Sequence, residues 1–197
     1  TTSRVLAAMA TVAAALVMSP APASAKIDGI SGPAFHLSAR PGFISTPDGG
    51  SIYMWGYADE NGSQDMQYPG PTLFVDVGQT VTIVLDNYLD TPTSAVFPGL
   101  QAVAIGGVPG ILTSEAPAFA GGQPGTVTYT FQASRPGTFT YYSGTRPDLQ
   151  VEMGLVGALI VRPAAGPQQA YDDPASAFDR EYLFLLSEID PNLHNAV

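Results

Sequence analysis

Residues 139–161 read FTYYSGTRPDLQVEMGLVGALIV. The stretch opens as a strand pattern, breaks at Ser143-Gly144 into a polar interruption, and closes on an apolar run punctuated by Gly154 and Gly157. The same grammar repeats outward from it. In Thr80–Asp86, TVTIVLD, the side chains of Val81, Ile83 and Leu85 share one face because a strand has a period of two. In Thr126–Gln132, TVTYTFQ, the apolar set is Val127, Tyr129 and Phe131, with the threonines toward water. Further strands are expected over Ala34–Ala39, Ser51–Tyr57, Thr72–Val77, Thr138–Ser143 and Leu155–Arg162, with turns at Pro47-Asp48-Gly49-Gly50, Glu60-Asn61-Gly62-Ser63 and Arg135-Pro136-Gly137. Glycine at 21 positions and proline at 18 set the short spacing of an all-β sandwich or barrel, and no amphipathic helix is expected in the mature region.

Composition narrows the function classes. With 45% hydrophobic and 12% charged residues the chain has the makings of a folded globular core. Residues 1–25 stand apart. Arg4 precedes an apolar stretch from Val5 to Val17, Ser19-Pro20 breaks it, and Ala23-Ser24-Ala25 supplies an A-x-A cleavage site. This is the pattern of a secretory signal peptide, too short to span a bilayer, and it points to an exported protein, periplasmic or extracellular, of a bacterium. Without Arg4, six basic residues face 17 acidic ones, a formal charge of −11. Such a surface repels phosphate backbones and anionic lipid, which argues against nucleic-acid and membrane partners. The absence of cysteine rules out disulfide staples and thiolate chemistry alike.

After Val161 the character changes. Residues 163–177, PAAGPQQAYDDPASA, lack periodicity and read as a linker. Residues 180–190, REYLFLLSEID, are expected to form a fresh strand, and one strand cannot make a domain. The expected organisation is a signal peptide over 1–25, one domain over 27–162, the linker, and over 178–197 the start of a truncated second domain. With Thr at position 1, the chain reads as a fragment at both ends.

Four segments taken together are distinctive: YPGPTLFVDVGQTVTIVLDNYLDTPTS (68–94), VFPGL (96–100), GGVPG (106–110) with a later GG (121–122), and GTFTYYSG…MGLVGALIV (137–161). In order and spacing they resemble the first cupredoxin domain of the multicopper oxidase superfamily, over roughly residues 44–161. The resemblance implies a cupredoxin-like Greek-key β-sandwich followed by the first strand of a second cupredoxin domain. It also implies a parent protein that passes single electrons through copper and reduces dioxygen to water. In that family the first domain supplies two His-x-His pairs to a trinuclear copper cluster. Where the family reads Ser-x-His-Trp-His-Gly-Leu, this sequence has Ser94-Ala95-Val96-Phe97-Pro98-Gly99-Leu100; where it reads Trp-Tyr-His-Ser-His, this sequence has Thr140-Tyr141-Tyr142-Ser143-Gly144. By that correspondence the ligand positions are Val96, Pro98, Tyr142 and Gly144. Valine, proline and glycine have no ligating atom, and a phenol is a poor ligand at neutral pH. The electron-accepting copper of the family needs a cysteine, which this chain lacks. The expectation is a domain with no catalytic residue, no metal site and no cofactor of its own, copper being confined to downstream domains.

The remaining candidates have ordinary readings. His36 and His194 are lone histidines, without a second histidine at i+2. Asp148 and Glu152 could be paired acids for glycoside chemistry, but more simply solvate a loop. The glycines of GGVPG serve tight turns, since the Gly-Lys-Ser/Thr of a phosphate loop is missing. No G-x-S-x-G elbow supports a serine hydrolase. The methionines are too scattered for a copper-binding tract. Three functions fit the sequence: a copper-free scaffold domain of a redox protein, its partners being further cupredoxin domains of the same polypeptide; a copper-free periplasmic structural or interaction protein on the same fold; and a sandwich that binds sugar or another small ligand through Tyr53, Trp55 and Tyr57, aromatics that more simply form one side of a sandwich strand.

Overall fold

The computed structural model describes residues 28–197; residues 1–25, expected from the sequence to be a signal peptide, lie outside them. Two β-sheets face each other across an apolar core. One contains four strands in the order β1 (Ile30–Ser31), β4 (Leu73–Asp76), β9 (Val156–Arg162) and β8 (Gly137–Tyr142). The other contains five, in the order β3 (Ser51–Asp59), β2 (Ala34–Ser45), β5 (Thr80–Asn87), β7 (Gly125–Gln132) and β6 (Val103–Gly106). β2 pairs parallel with β5, and β4 runs parallel to both β1 and β9; the other ladders are antiparallel.

The two alternating segments become the centre of the larger sheet. β5 and β7 pair so that Val81 faces Phe131, Ile83 faces Tyr129 and Leu85 faces Val127. All six are buried, and their threonine neighbours look outward. Burial of side chains this size contributes about 1.5–3 kcal/mol each. Β9 is apolar on both sides and is buried along nearly its whole length. Its Gly157 is required by close approach, because a Cβ there would stand 2.3 Å from the ring of Tyr141.

Several elements differ from expectation. β2 continues through Arg40-Pro41-Gly42, where the sequence reads as a break. Its pairing with β5 ends at Ala39, so Pro41 lies in a part of the strand bonded only to β3, where a missing N–H is tolerated. The short strands β1 and β6 and two short helices, α1 (Pro147–Gln150) and α2 (Pro191–Ala196), carry too little periodicity to be read in advance. Residues 163–177 form turns and one 3₁₀ turn over Pro174–Ser176.

The segment expected as a strand over 180–190 joins neither sheet. Its burial alternates nonetheless: Leu183 and Leu185 are half-buried, while Tyr182, Phe184 and Leu186 are 63%, 80% and 91% exposed. The pattern is a strand's, but a strand is made by its ladder, and none of the described residues supplies one. The segment is fastened at its ends instead. Arg162 forms a two-pronged pair with Glu181, one prong being 2.7 Å, and lies over the ring of Phe74. Tyr68 and Ser187 bond through their hydroxyls, and the Asp190 N–H donates to Glu152 Oε1 at 2.7 Å. Asp190 then caps α2 by accepting from Asn192 N, and Leu193 packs against the core.

Candidate functional site

Val96 lies in an irregular segment, Tyr142 at the end of β8, and the two meet in an antiparallel pair: Val96 N donates to Tyr142 O at 2.8 Å and Tyr142 N to Val96 O at 3.2 Å. Their neighbours point into the core. Phe97 has its ring centroid 5.0 Å from that of Phe131, 5.8 Å from Tyr129 and 6.2 Å from Tyr141. The period of two therefore turns Val96, Pro98 and Tyr142 to the opposite side. Gly144 comes against Val96: a Cβ added to it would stand 2.7 Å from Val96 Cγ1 and 3.3 Å from Leu112 Cβ. Three of the four positions singled out from the sequence thus lie together, while Pro98 continues the same segment and is exposed. Next to them, Leu112 and the neighbouring Ile111 are exposed apolar side chains, Ile111 to 97%.

A buried polar web holds this arrangement from behind. The Gln150 side-chain carbonyl accepts from Thr93 Oγ1 at 2.8 Å and Ser143 Oγ at 2.6 Å, and its amide donates to Pro92 O at 2.8 Å. Ser94 Oγ accepts from Gly144 N at 3.1 Å and bonds Thr145 Oγ1 at 2.9 Å. Three core tyrosines brace this segment and two neighbouring loops. Tyr57 OH donates to Ser94 O, Tyr141 OH to Pro71 O and Tyr129 OH to Ser114 O, while Tyr129 also accepts from Ala95 N. Burial pushes all three phenols well above the usual tyrosine range; at Tyr57 the neighbouring Tyr129 and Tyr141 add to it. They are neutral hydrogen-bond donors at any working pH.

This surface does not fit a copper cluster. Val96, Pro98 and Gly144 offer no donor atom, and Val96 occupies the space into which a side chain at 144 would project. Its chemistry is apolar contact. Gln150, Thr93 and Leu112 had no sequence signal, since a glutamine amid a polar interruption looks like any solvated loop residue.

The other candidates fall elsewhere. Trp55 is 4% exposed and Tyr57 is fully buried, so these aromatics line one side of a sandwich strand and offer no sugar-binding face; Trp55 Nε1 donates to Tyr53 OH. His36 lies on β2 between β3 and β5 with its side chain 40% exposed, and its Nε2 bonds Asp86 Oδ2 at 2.7 Å. Asp148 projects into solvent beside Arg146, whereas Glu152 takes part in fastening α2. Gly106 and Gly107 both have positive φ, as tight turns require. His194 is buried on α2.

A two-sheet all-β sandwich of this topology defines a cupredoxin-like domain. The chain belongs to the multicopper oxidase family, whose family model it matches over residues 51–166. It is 34% identical over 130 residues to copper resistance protein A of Escherichia coli, covering 64% of this chain and 19% of that protein. It is 32% identical over 123 residues to L-ascorbate oxidase of Cucurbita maxima, covering 62% and 20%. Among solved structures, Lac15 from a marine microbial metagenome superposes with a TM-score of 0.54 at 29% identity, over 68% of this chain and 33% of that one. A multicopper oxidase from Pseudomonas thermotolerans gives 0.53 at 26% identity, over 68% and 30%. The chain spans about a fifth of the length of these curated relatives.

Proposed function

We propose that this chain is the amino-terminal part of an exported multicopper-oxidase-like protein, and that its cupredoxin domain serves as a copper-free scaffold. The observation that carries this reading is the apolar contact of Val96 with Gly144 at positions where the family resemblance puts imidazoles. The signal-peptide pattern of residues 1–25 supports export. Residues 163–177 act as a linker and residues 178–197 as the start of a second cupredoxin domain; the unpaired run of Tyr182, Phe184 and Leu186 supports that, since it lacks only a ladder. The partners of the domain are then further cupredoxin domains of the same polypeptide, where any copper and the reduction of dioxygen reside.

Loading the chain with copper, desalting it and measuring bound metal tests the scaffold role. The expected result is no copper retained and no oxidase activity with phenols or metal ions. About one tightly held copper per chain would overturn it. A second reading, a copper-free structural or interaction protein on the same fold, is favoured by exposed Ile111 and Leu112 beside the vacated positions. A His-Cys-His run in the gene beyond the codon for Val197 would support the redox protein; downstream domains stripped of histidine and cysteine would support the interaction protein.

A further inference from the structure

His194 is built in a way that its position on a six-residue helix does not explain. It is 1% exposed, and its Nδ1 lies 2.6 Å from Tyr53 O. A carbonyl oxygen only accepts, so Nδ1 carries the hydrogen and the neutral ring presents a bare lone pair at Nε2. That atom is buried and has no hydrogen-bond partner. It faces Glu152 Oε1 at 3.8 Å, an acceptor on either side, and that carboxylate oxygen takes one hydrogen bond from the Asp190 N–H at 2.7 Å and keeps a lone pair besides. Asp190 is turned to another task, its side chain capping α2.

From this geometry we propose that His194 Nε2 and Glu152 Oε1 are the protein ligands of a single divalent cation of the zinc type. An ion at the usual ligand distances of about 2.0–2.2 Å from each atom would subtend roughly 130° across that gap, wider than tetrahedral, and a small approach of the two side chains brings it to tetrahedral. The Nδ1–H bond to a backbone carbonyl is the outer contact by which proteins orient a ligating imidazole. Glu152 is 26% exposed, so the site opens to solvent on its carboxylate side and water completes the coordination. No third His, Cys, Asp or Glu joins them among the described residues, so the ion exchanges freely. His36 makes the contrast. Its Nε2 is 2.7 Å from Asp86 Oδ2, a hydrogen bond with no room for an ion between. The bound cation would tie α2 to the turn ahead of β9.

Zinc chloride titrated calorimetrically into the 197-residue chain tests the site, with histidine NMR as the second readout. Binding of one zinc per chain is expected, lost in His194→Gln and in Glu152→Gln and retained in His36→Gln. Zinc is expected to shift the imidazole resonances of His194 and leave those of His36 in place. Absence of zinc binding, binding that survives in both ligand variants, or a response confined to His36 would each overturn the assignment. The NMR readout needs no mutation, so a variant that fails to fold leaves the test intact. The site is separable from the scaffold reading: copper retained after desalting by both the wild-type chain and His194→Gln bears on the Val96–Gly144 surface, whereas zinc lost in His194→Gln bears on this site alone.

Discussion

At Gly144 a single missing methyl group shapes a surface. The backbone is close enough to Val96 that a Cβ would fall 2.7 Å from Cγ1, well inside van der Waals contact. Gly144→Ala is therefore expected to destabilise the domain by about 1–3 kcal/mol through overpacking. The strain is local to one neighbour, so Val96→Ala should relieve much of it. The double variant is expected to be more stable than the sum of the two single losses, a positive coupling readable from urea denaturation midpoints. Additive losses would mean that 96 and 144 do not touch. The family resemblance picked out 96, 98, 142 and 144 as one set. What it could not supply was the Val96–Tyr142 bridge or the tightness at 144, because both depend on how two segments far apart in the chain approach each other.

Strands β3, β7 and β8 each send one tyrosine, Tyr57, Tyr129 and Tyr141, through the core to a carbonyl of an irregular segment. These phenols hold the loops around residues 71, 94 and 114 without any disulfide. Their folded-state ionisation lies above the unfolded value near 10, with burial the first cause. The sign follows from linkage. Below about pH 10 both states hold the phenolic protons and stability is unaffected. As pH rises above about 10 only the unfolded chain releases them, and stability falls by up to about 1.4 kcal/mol per pH unit for each tyrosine. Of the 9 tyrosines, these three are expected to develop tyrosinate absorbance only as the protein unfolds. Titration of all nine before loss of tertiary signal would contradict their burial. The alternation of β7 placed Tyr129 inward from sequence alone; at Tyr57 period two left a strand side and a ligand face both open, because it names the face and not which face is covered.

For the whole molecule, the decisive joint is the one between the sandwich and residues 178–197. Arg162, the last residue of β9, is largely buried between Phe74 and Glu181 and fixes the start of that segment. Arg162→Ala is expected to weaken its docking by about 1–3 kcal/mol, since Glu181 keeps its desolvation but loses both donors. Limited proteolysis should then cut faster between residues 163 and 190, while the sandwich remains intact. Unchanged cleavage would mean that the Tyr68–Ser187 and Asp190–Glu152 bonds and the apolar contacts hold the segment without Arg162. The exposed stripe of Tyr182, Phe184 and Leu186 is what a strand leaves when half of its burial has been found and its ladder has not.

The sequence by itself determined the all-β class, the inward faces of β5 and β7, and the family to which the domain belongs. Those properties are carried by local period, turn residues and motif order, which survive without knowledge of neighbours. Tertiary structure alone decided that Trp55 and Tyr57 are core and not a sugar platform, that Pro41 can lie within a strand, and that 180–190 stays unpaired. It also decided that His194 meets Tyr53 and Glu152. Each of these turns on what a remote segment places against the residue, and burial, ladder partners and ligand geometry exist only once those segments have met.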